Sequence, residues 1–101
     1  MANVSVGLWV RIEAKPGRED DVAAFLISAQ DLVDAEPKTT TWFALRLGPT
    51  TFGIFDAFEA DEGRDVHLRG PVASALGEKA ADLFAEAPTI EKLDVLASKF
   101  P

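Results

Sequence analysis

The chain has 101 residues, of which 48% are hydrophobic and 27% charged, a balance typical of one folded domain that spans residues 1–101. Ten basic residues against seventeen acidic ones give a net charge of -7, which would repel the phosphate backbone and anionic lipids, so we expect no nucleic acid or membrane partner. The absence of cysteine excludes disulfides and thiolate metal sites.

The first residues contain no basic leader segment, and no apolar run approaches the roughly 18 residues that a transmembrane helix needs. We therefore expect an unprocessed cytoplasmic protein.

The first strand is predicted from Val4 to Ile12, where aliphatic residues fall at every second position. Pro16 and Gly17 predict a turn after it, and the acidic residues that follow favour a helix N-terminus. Apolar residues then recur at three- and four-residue steps, which predicts an amphipathic helix over about 18–35. Pro37 ends that helix because the residue before a proline is disfavoured in helical geometry.

The next segment is a predicted hairpin of two strands, 39–47 and 51–58, joined by a turn that contains Gly48 and Pro49. The first of these strands is apolar on both faces, with Phe43 on one and Trp42 on the other. Such a strand is expected to be covered on both sides.

The last third of the chain is predicted to hold two helical segments and one strand. Asp61 is the expected N-cap of a helical turn that runs to about Leu68, where Gly70 and Pro71 interrupt it. A second helical stripe continues to about residue 86, and the two segments together form one broken helix. The segment 89–96 is predicted as a last, partly exposed strand.

The element order is therefore βαββαβ. Right-handed crossovers build from it an α+β, ferredoxin-like fold, in which a four-stranded antiparallel sheet carries its helices on one face. The opposite face would expose apolar residues of the hairpin, and a monomer of this size rarely exposes a large apolar surface. We therefore expect a homodimer in which this bare face meets a second copy.

His67 is the natural candidate for a proton-transfer group, because it is the only histidine and titrates near neutral pH. The alternative is a partly exposed helix residue without a role in chemistry.

Other candidates lie on the strands. Trp9 and Trp42 are large enough to line a pocket for a flat ligand, although core or dimer interface is the more common place for tryptophan. Arg46 shares a face with Trp42, and Asp56 lies on the neighbouring strand, so the two charges are candidates to steady a polar substrate group. The alternative for Arg46 and Asp56 is a structural ion pair at the sheet margin.

Familiar motifs are missing from the sequence. The glycines match neither a dinucleotide-binding fingerprint nor a phosphate-binding loop, and the serines lack a nucleophile elbow. The acidic residues are dispersed rather than grouped as a calcium loop, so no metal is expected.

The chain resembles the antibiotic biosynthesis monooxygenase family of small dimeric α/β-barrel proteins. The resemblance covers nearly the whole chain and rests on segments 15–17, 42–58 and 65–71. Within that family it is most similar to a largely uncharacterised branch, through Glu36-Pro37, the segment 41–44 and the segment 51–56.

The resemblance implies oxygenation of a phenol, quinol or anthrone-like molecule by molecular oxygen, without a metal or flavin, because the deprotonated substrate itself reduces O₂. It places His67 as proton acceptor in the helix where many relatives have histidine, Trp42 and Phe43 as pocket walls, and Arg46 as an oxyanion partner. We also expect the protein to be purified colourless. The alternative is a dimeric ligand-binding or stress-associated barrel that retains the fold without the chemistry.

The chain departs from some members of that family. In haem-degrading relatives an asparagine would fall near Val10, a helix tryptophan near His67 and a later histidine near Gly77, so haem oxygenation is disfavoured. The absence of tyrosine removes a hydrogen-bond donor that other relatives use.

Overall fold

The computed structural model describes residues 3–101 and contains one four-stranded antiparallel sheet with the strand order β2-β3-β1-β4. The sheet and helices follow the chain in the order β1 (Val6–Glu13), α1 (Glu19–Ser28), α2 (Gln30–Asp34), β2 (Thr41–Arg46), β3 (Thr51–Phe58), α3 (Asp61–Leu68), α4 (Pro71–Leu83) and β4 (Thr89–Asp94). The predicted ferredoxin-like α+β fold is confirmed. Among the described residues, no helix is both long and apolar enough to cross a bilayer.

The central strands β1 and β3 pair along their full length, and Val10 lies opposite Ile54. On the helix-covered face their alternate side chains are buried, because successive residues of a strand point to opposite sides. The main core therefore lies between this face and the buried sides of α1, α2 and α4, and its members include Ile12, Val22 and Leu76.

The first predicted helical region is divided into two helices, and the second is broken as predicted. The expected helix over 18–35 is interrupted at Ala29. There the Ser28 hydroxyl donates to the carbonyl of Phe25, and the backbone N–H of Leu32 donates to the carbonyl of Ala29, three residues back instead of four. The break between α3 and α4 falls at Gly70, and Pro71 opens α4 because its missing N–H needs no partner there.

Two boundary predictions differ from the structure. Asp61 is not the N-cap of α3: Ala60 holds the extended cap position (φ -152°, ψ 170°), and Asp61 lies in the first helical turn. There its carboxylate still favours the positive end of the helix dipole. The last strand ends at Asp94 rather than Leu96, which is 96% exposed.

The face of the sheet that carries no helix is partly apolar. Phe43 and Phe55 stack across β2 and β3 with ring centroids 6.5 Å apart, and Phe43 is 53% exposed. The Trp9 indole lies directly over Gly53, where an added Cβ would come within 2.3 Å of the ring. Glycine is therefore required at this position for the indole to lie flat on the sheet.

Candidate functional site

His67 lies on the inner side of α3, four residues after the other buried position of that helix, Gly63. Residues four apart share a helix face, and this face lies against the end of β3. The imidazole is only 5% exposed and contacts the ring of Phe58, with centroids 5.4 Å apart. His67 is thus a buried group, contrary to the view of it as a partly exposed helix residue.

Two carboxylates flank the imidazole. Glu36, in the loop between α2 and β2, places Oε1 at 2.6 Å from Nδ1 of His67. Asp56, on β3 and fully buried, places Oδ2 at 3.0 Å from Nε2 at an angle too bent for a regular hydrogen bond. Both ring nitrogens are therefore engaged, which leaves neither free to bind a metal.

Thr39 completes this cluster. Its hydroxyl donates to Oε1 of Glu36 at 2.7 Å and lies 3.4 Å from Nδ1 of His67. The four side chains of Glu36, Thr39, Asp56 and His67, hereafter the acid–histidine cluster, come from a loop, a strand and a helix. The cluster ties these three elements together.

Burial and neighbouring charges shift the pKa values of His67 and Asp56 in the same direction. Burial by itself lowers the pKa of His67, but contacts with Asp56 and Glu36 outweigh it, so the pKa lies above its usual value of 6.5. Burial also raises the pKa of Asp56, although the neighbouring His67 works against that rise. His67 and Asp56 therefore both hold a proton more tightly than the same groups would in water.

We expect this proton affinity to make the protein less stable as the pH rises. The folded state binds the His67 proton more tightly than the unfolded chain, so its contribution is complete below 6.5 and is lost as pH rises through the folded pKa. The raised pKa of Asp56 acts in the same direction. Urea unfolding over a neutral-to-alkaline pH series should show a decline of up to about 1.4 kcal/mol per pH unit for each proton released.

The control for this pH series is Glu36→Gln, which removes one of the charges that raise the His67 pKa. This variant should show a shallower decline than the parent. A stability that stays flat or rises across the neutral-to-alkaline range would contradict the prediction.

A hollow of about 310 Å³ lies beside the cluster. It is lined by Gln30, Val33, Asp34, Glu36, Thr39, Thr40 and Trp42. Trp42 stands directly opposite Asp56 in the β2–β3 register, on the helix-covered face, and its indole N–H is buried without a hydrogen-bond partner. His67 and Asp56 lie behind Glu36 and Thr39 and do not line the hollow.

Two of the predicted site residues lie elsewhere. Phe43 is on the open face of the sheet, opposite to Trp42, so the two do not form walls of one pocket. Arg46 is at the far end of β2, where its guanidinium lies 4.8 Å from the Phe52 ring centroid and donates to the carbonyls of the 47–50 turn. Its position does not allow it to pair with Asp56, whose charged contact is His67.

Sequence reasoning missed Glu36 and Thr39. In the sequence Glu36 marks the end of a helix and carries part of the family resemblance, and Thr39 is a β-forming residue; neither feature indicates a contact with His67. The sequence offers one indication: the carboxylate of Glu36 directly precedes Pro37. A residue before proline favours extended geometry, which sets the direction in which the chain leaves the helix.

No family model and no curated protein matches the chain. It is 52% identical to the solved NE2512 protein of unknown function from Nitrosomonas europaea, over 97% of this chain and 95% of that one, with a TM-score of 0.94. It also superimposes on two solved proteins named "putative antibiotic biosynthesis monooxygenase". The protein from Caulobacter crescentus is 16% identical, with 93% of this chain and 92% of that one covered and a TM-score of 0.78. The protein from Nitrosomonas europaea is 15% identical, with 95% and 94% covered and a TM-score of 0.80. At such identities these two show a shared fold.

Proposed function

Since this chain belongs to the same family as NE2512 of Nitrosomonas europaea, a protein of unknown function, we propose its activity from the candidate site: this chain is a cofactor-independent monooxygenase. Its substrate is an aromatic phenol, quinol or anthrone-like small molecule, and its second substrate is molecular oxygen. The fold is shared with two proteins named "putative antibiotic biosynthesis monooxygenase", which is compatible with the proposal.

The chemistry requires little of the protein. The substrate loses a proton, and the resulting electron-rich anion reduces O₂. One oxygen atom enters the product, as when a ring CH₂ becomes a carbonyl, and the other leaves as water. No external reductant is needed, so the protein supplies a dry site, a proton acceptor and positive charge near the developing anion.

The observation that carries the proposal is a buried imidazole between two carboxylates, next to a hollow that contains a tryptophan. In this arrangement Asp56 and His67 accept the substrate proton as a pair, and the imidazolium balances the negative charge of the substrate anion. Trp42 offers a flat apolar wall and an unpartnered N–H donor for a substrate oxygen. Phe43 lies on the other face of β2 and Arg46 at its other end, so neither takes part in this proposed chemistry.

The experiment is a screen of quinols and anthrones for oxygen consumption by the purified protein, with product identified by incorporation of ¹⁸O from labelled O₂. Turnover should occur in protein without flavin or haem absorbance, since the proposed reaction needs neither. Dependence of the rate on added flavin, haem or metal would contradict the proposal.

A second candidate function is a dimeric barrel that binds a ligand, or acts in a stress response, without catalysis. The sealed position of His67 behind Glu36 and Thr39 favours it, because a resting site closed to solvent is also what a purely structural cluster would show. Saturable binding of a phenol without oxygen consumption would support this second function.

We also propose that the open face of the sheet joins two copies of the chain into a homodimer. Phe43 and Leu45 are 53% and 40% exposed there, next to Phe55 and Trp9. A symmetric contact would bury this surface on both copies at once.

Replacing Phe43 with glutamate should therefore convert the dimer to a monomer, because it puts a charge at the centre of the buried contact. Sedimentation at micromolar concentration should show the halved mass. The matched control is Val66→Glu, an apolar residue that is 42% exposed on α3, on the helix-covered side of the sheet, and this variant should remain dimeric. A parent protein that sediments as a monomer would rule out the dimer.

A further inference from the structure

The segment 35–40, hereafter the lid, connects α2 to β2 and separates His67 from solvent. Glu36 and Thr39 point inward to the imidazole, whereas Ala35, Pro37 and Lys38 are exposed. The lid is thus a short strap over the acid–histidine cluster.

The lid is bordered by open hollows. Three hollows, of about 310, 240 and 220 Å³, are each lined by several of its residues. These hollows are open to solvent, so space is available for the lid to move without displacing the core.

Few contacts hold the lid in place. Lys38 pairs with Glu62 on α3 at the surface, where ion pairs contribute little. The Thr40 hydroxyl donates to the carbonyl of Ala57 at 3.2 Å. Among the described residues, the contact of Glu36 with His67 is the one buried charged contact between the lid and the rest of the chain.

We propose that the lid is a gate held shut by Glu36 and His67, and that its opening gives a ligand access to His67, Asp56 and Trp42. This inference rests on the proposed function only for the identity of the ligand. When Glu36 swings away, Asp56 still pairs with His67, so the open state leaves no isolated charge. Opening also joins the imidazole to the hollow lined by Trp42.

Thiol labelling tests the opening, since the chain has no cysteine of its own. Val33→Cys places a thiol on the wall of the hollow beside the lid, and Val72→Cys places one in the main core; these valines are 6% and 1% exposed. Labelling by a disulfide reagent should be faster at position 33 than at position 72. Adding Glu36→Gln should accelerate it at position 33 by about tenfold or more, the scale of a lost charged hydrogen bond, but not at position 72.

Equal labelling rates at the two positions would show that only global unfolding exposes position 33, and would overturn the gate. An unchanged rate at position 33 on adding Glu36→Gln would do the same. Neither outcome depends on any catalytic activity.

A disulfide that closes the lid links the gate to function. A Cβ built on Gly63 lies 3.4 Å from Cβ of Lys38, close to the spacing of a disulfide, although it also comes within 3.1 Å of the Lys38 carbonyl and needs a small local shift. Oxidised Lys38→Cys/Gly63→Cys should lose oxygen consumption with a quinol by about tenfold or more, and reduction should restore it. Full turnover by the oxidised protein would overturn the gate, whereas a parent that oxidises no quinol would count against the proposed function and leave the labelling result to decide the gate.

Discussion

His67→Ala is expected to lower the free energy of unfolding by about 3–5 kcal/mol, the usual cost of removing one partner from a buried ion pair. The structural reason is that Asp56 is fully buried and its charged contact is the imidazole, while Glu36 loses its contact as well. The buried carboxylate of Asp56 and the partly buried carboxylate of Glu36 would then face a cavity without a counter-charge. If His67 were only a proton-transfer group, its removal would leave most of the melting temperature; its burial predicts a large loss instead.

Urea unfolding of this variant should be compared with Asp65→Ala, an exposed residue of the same helix, which should stay within about 0.5 kcal/mol of the parent. Adding Asp56→Asn to His67→Ala should recover part of the lost free energy of unfolding, because it removes one of the two unpaired negative charges. Lowering the pH should also recover part of it, since the pKa of Asp56 is already raised by burial. A loss that is small and independent of pH would show that the imidazole only fills space.

Asp56→Asn by itself is expected to reduce turnover of a quinol or anthrone by about 10²-fold or more, the scale of losing a positioned proton acceptor. Asparagine has nearly the same shape, so the fold and the hollow should be retained. The amide cannot take up a proton, however, and no longer balances the imidazolium. Oxygen consumption at saturating substrate should show the loss in kcat rather than in KM.

The control for this variant is Asp65→Asn, which changes the charge of the protein equally at an exposed position. Its turnover should match that of the parent. If Asp56→Asn keeps the parental rate, the acid–histidine cluster is structural and the proton acceptor must be sought elsewhere.

The sheet could be predicted from the sequence because each strand is marked by a pattern of residues close together in the chain. Alternating aliphatic residues mark β1, and the hairpin is marked by two β-forming runs around Gly48 and Pro49. The helix boundaries that the sequence did not predict lie where the competing interactions differ little in energy. At Ala29, a serine hydroxyl and a three-residue backbone turn divide one expected helix into two. Propensity alone does not determine such a break.

The site was only partly predictable. His67, Asp56 and Trp42 were chosen as candidates, and the structure brings these three to one region. Alternation along β2 already placed Phe43 on the other face from Trp42, so joining them in one pocket conflicted with the strand period. Arg46 shares the face of Trp42 but lies four residues further along, which is about 13 Å in a strand.

The meeting of Glu36 with His67 had no such local signal. The two residues are 31 positions apart, and their contact depends on how the loop after α2 crosses the end of β3 and meets α3. That crossing is a property of tertiary packing. A single sequence therefore offers candidates for the imidazole and its strand partner, while the loop carboxylate emerges only from the folded chain.

The placement of the two tryptophans gives the protein a pair of separate fluorescent reporters. Trp9 lies flat on Gly53 on the open face, whereas Trp42 borders the hollow on the helix-covered face. With no tyrosine in the chain, emission excited in the near ultraviolet comes almost entirely from these two indoles. A Trp9→Phe protein would therefore report on the site alone and a Trp42→Phe protein on the open face alone, so that ligand entry and subunit assembly can be followed independently in one chain.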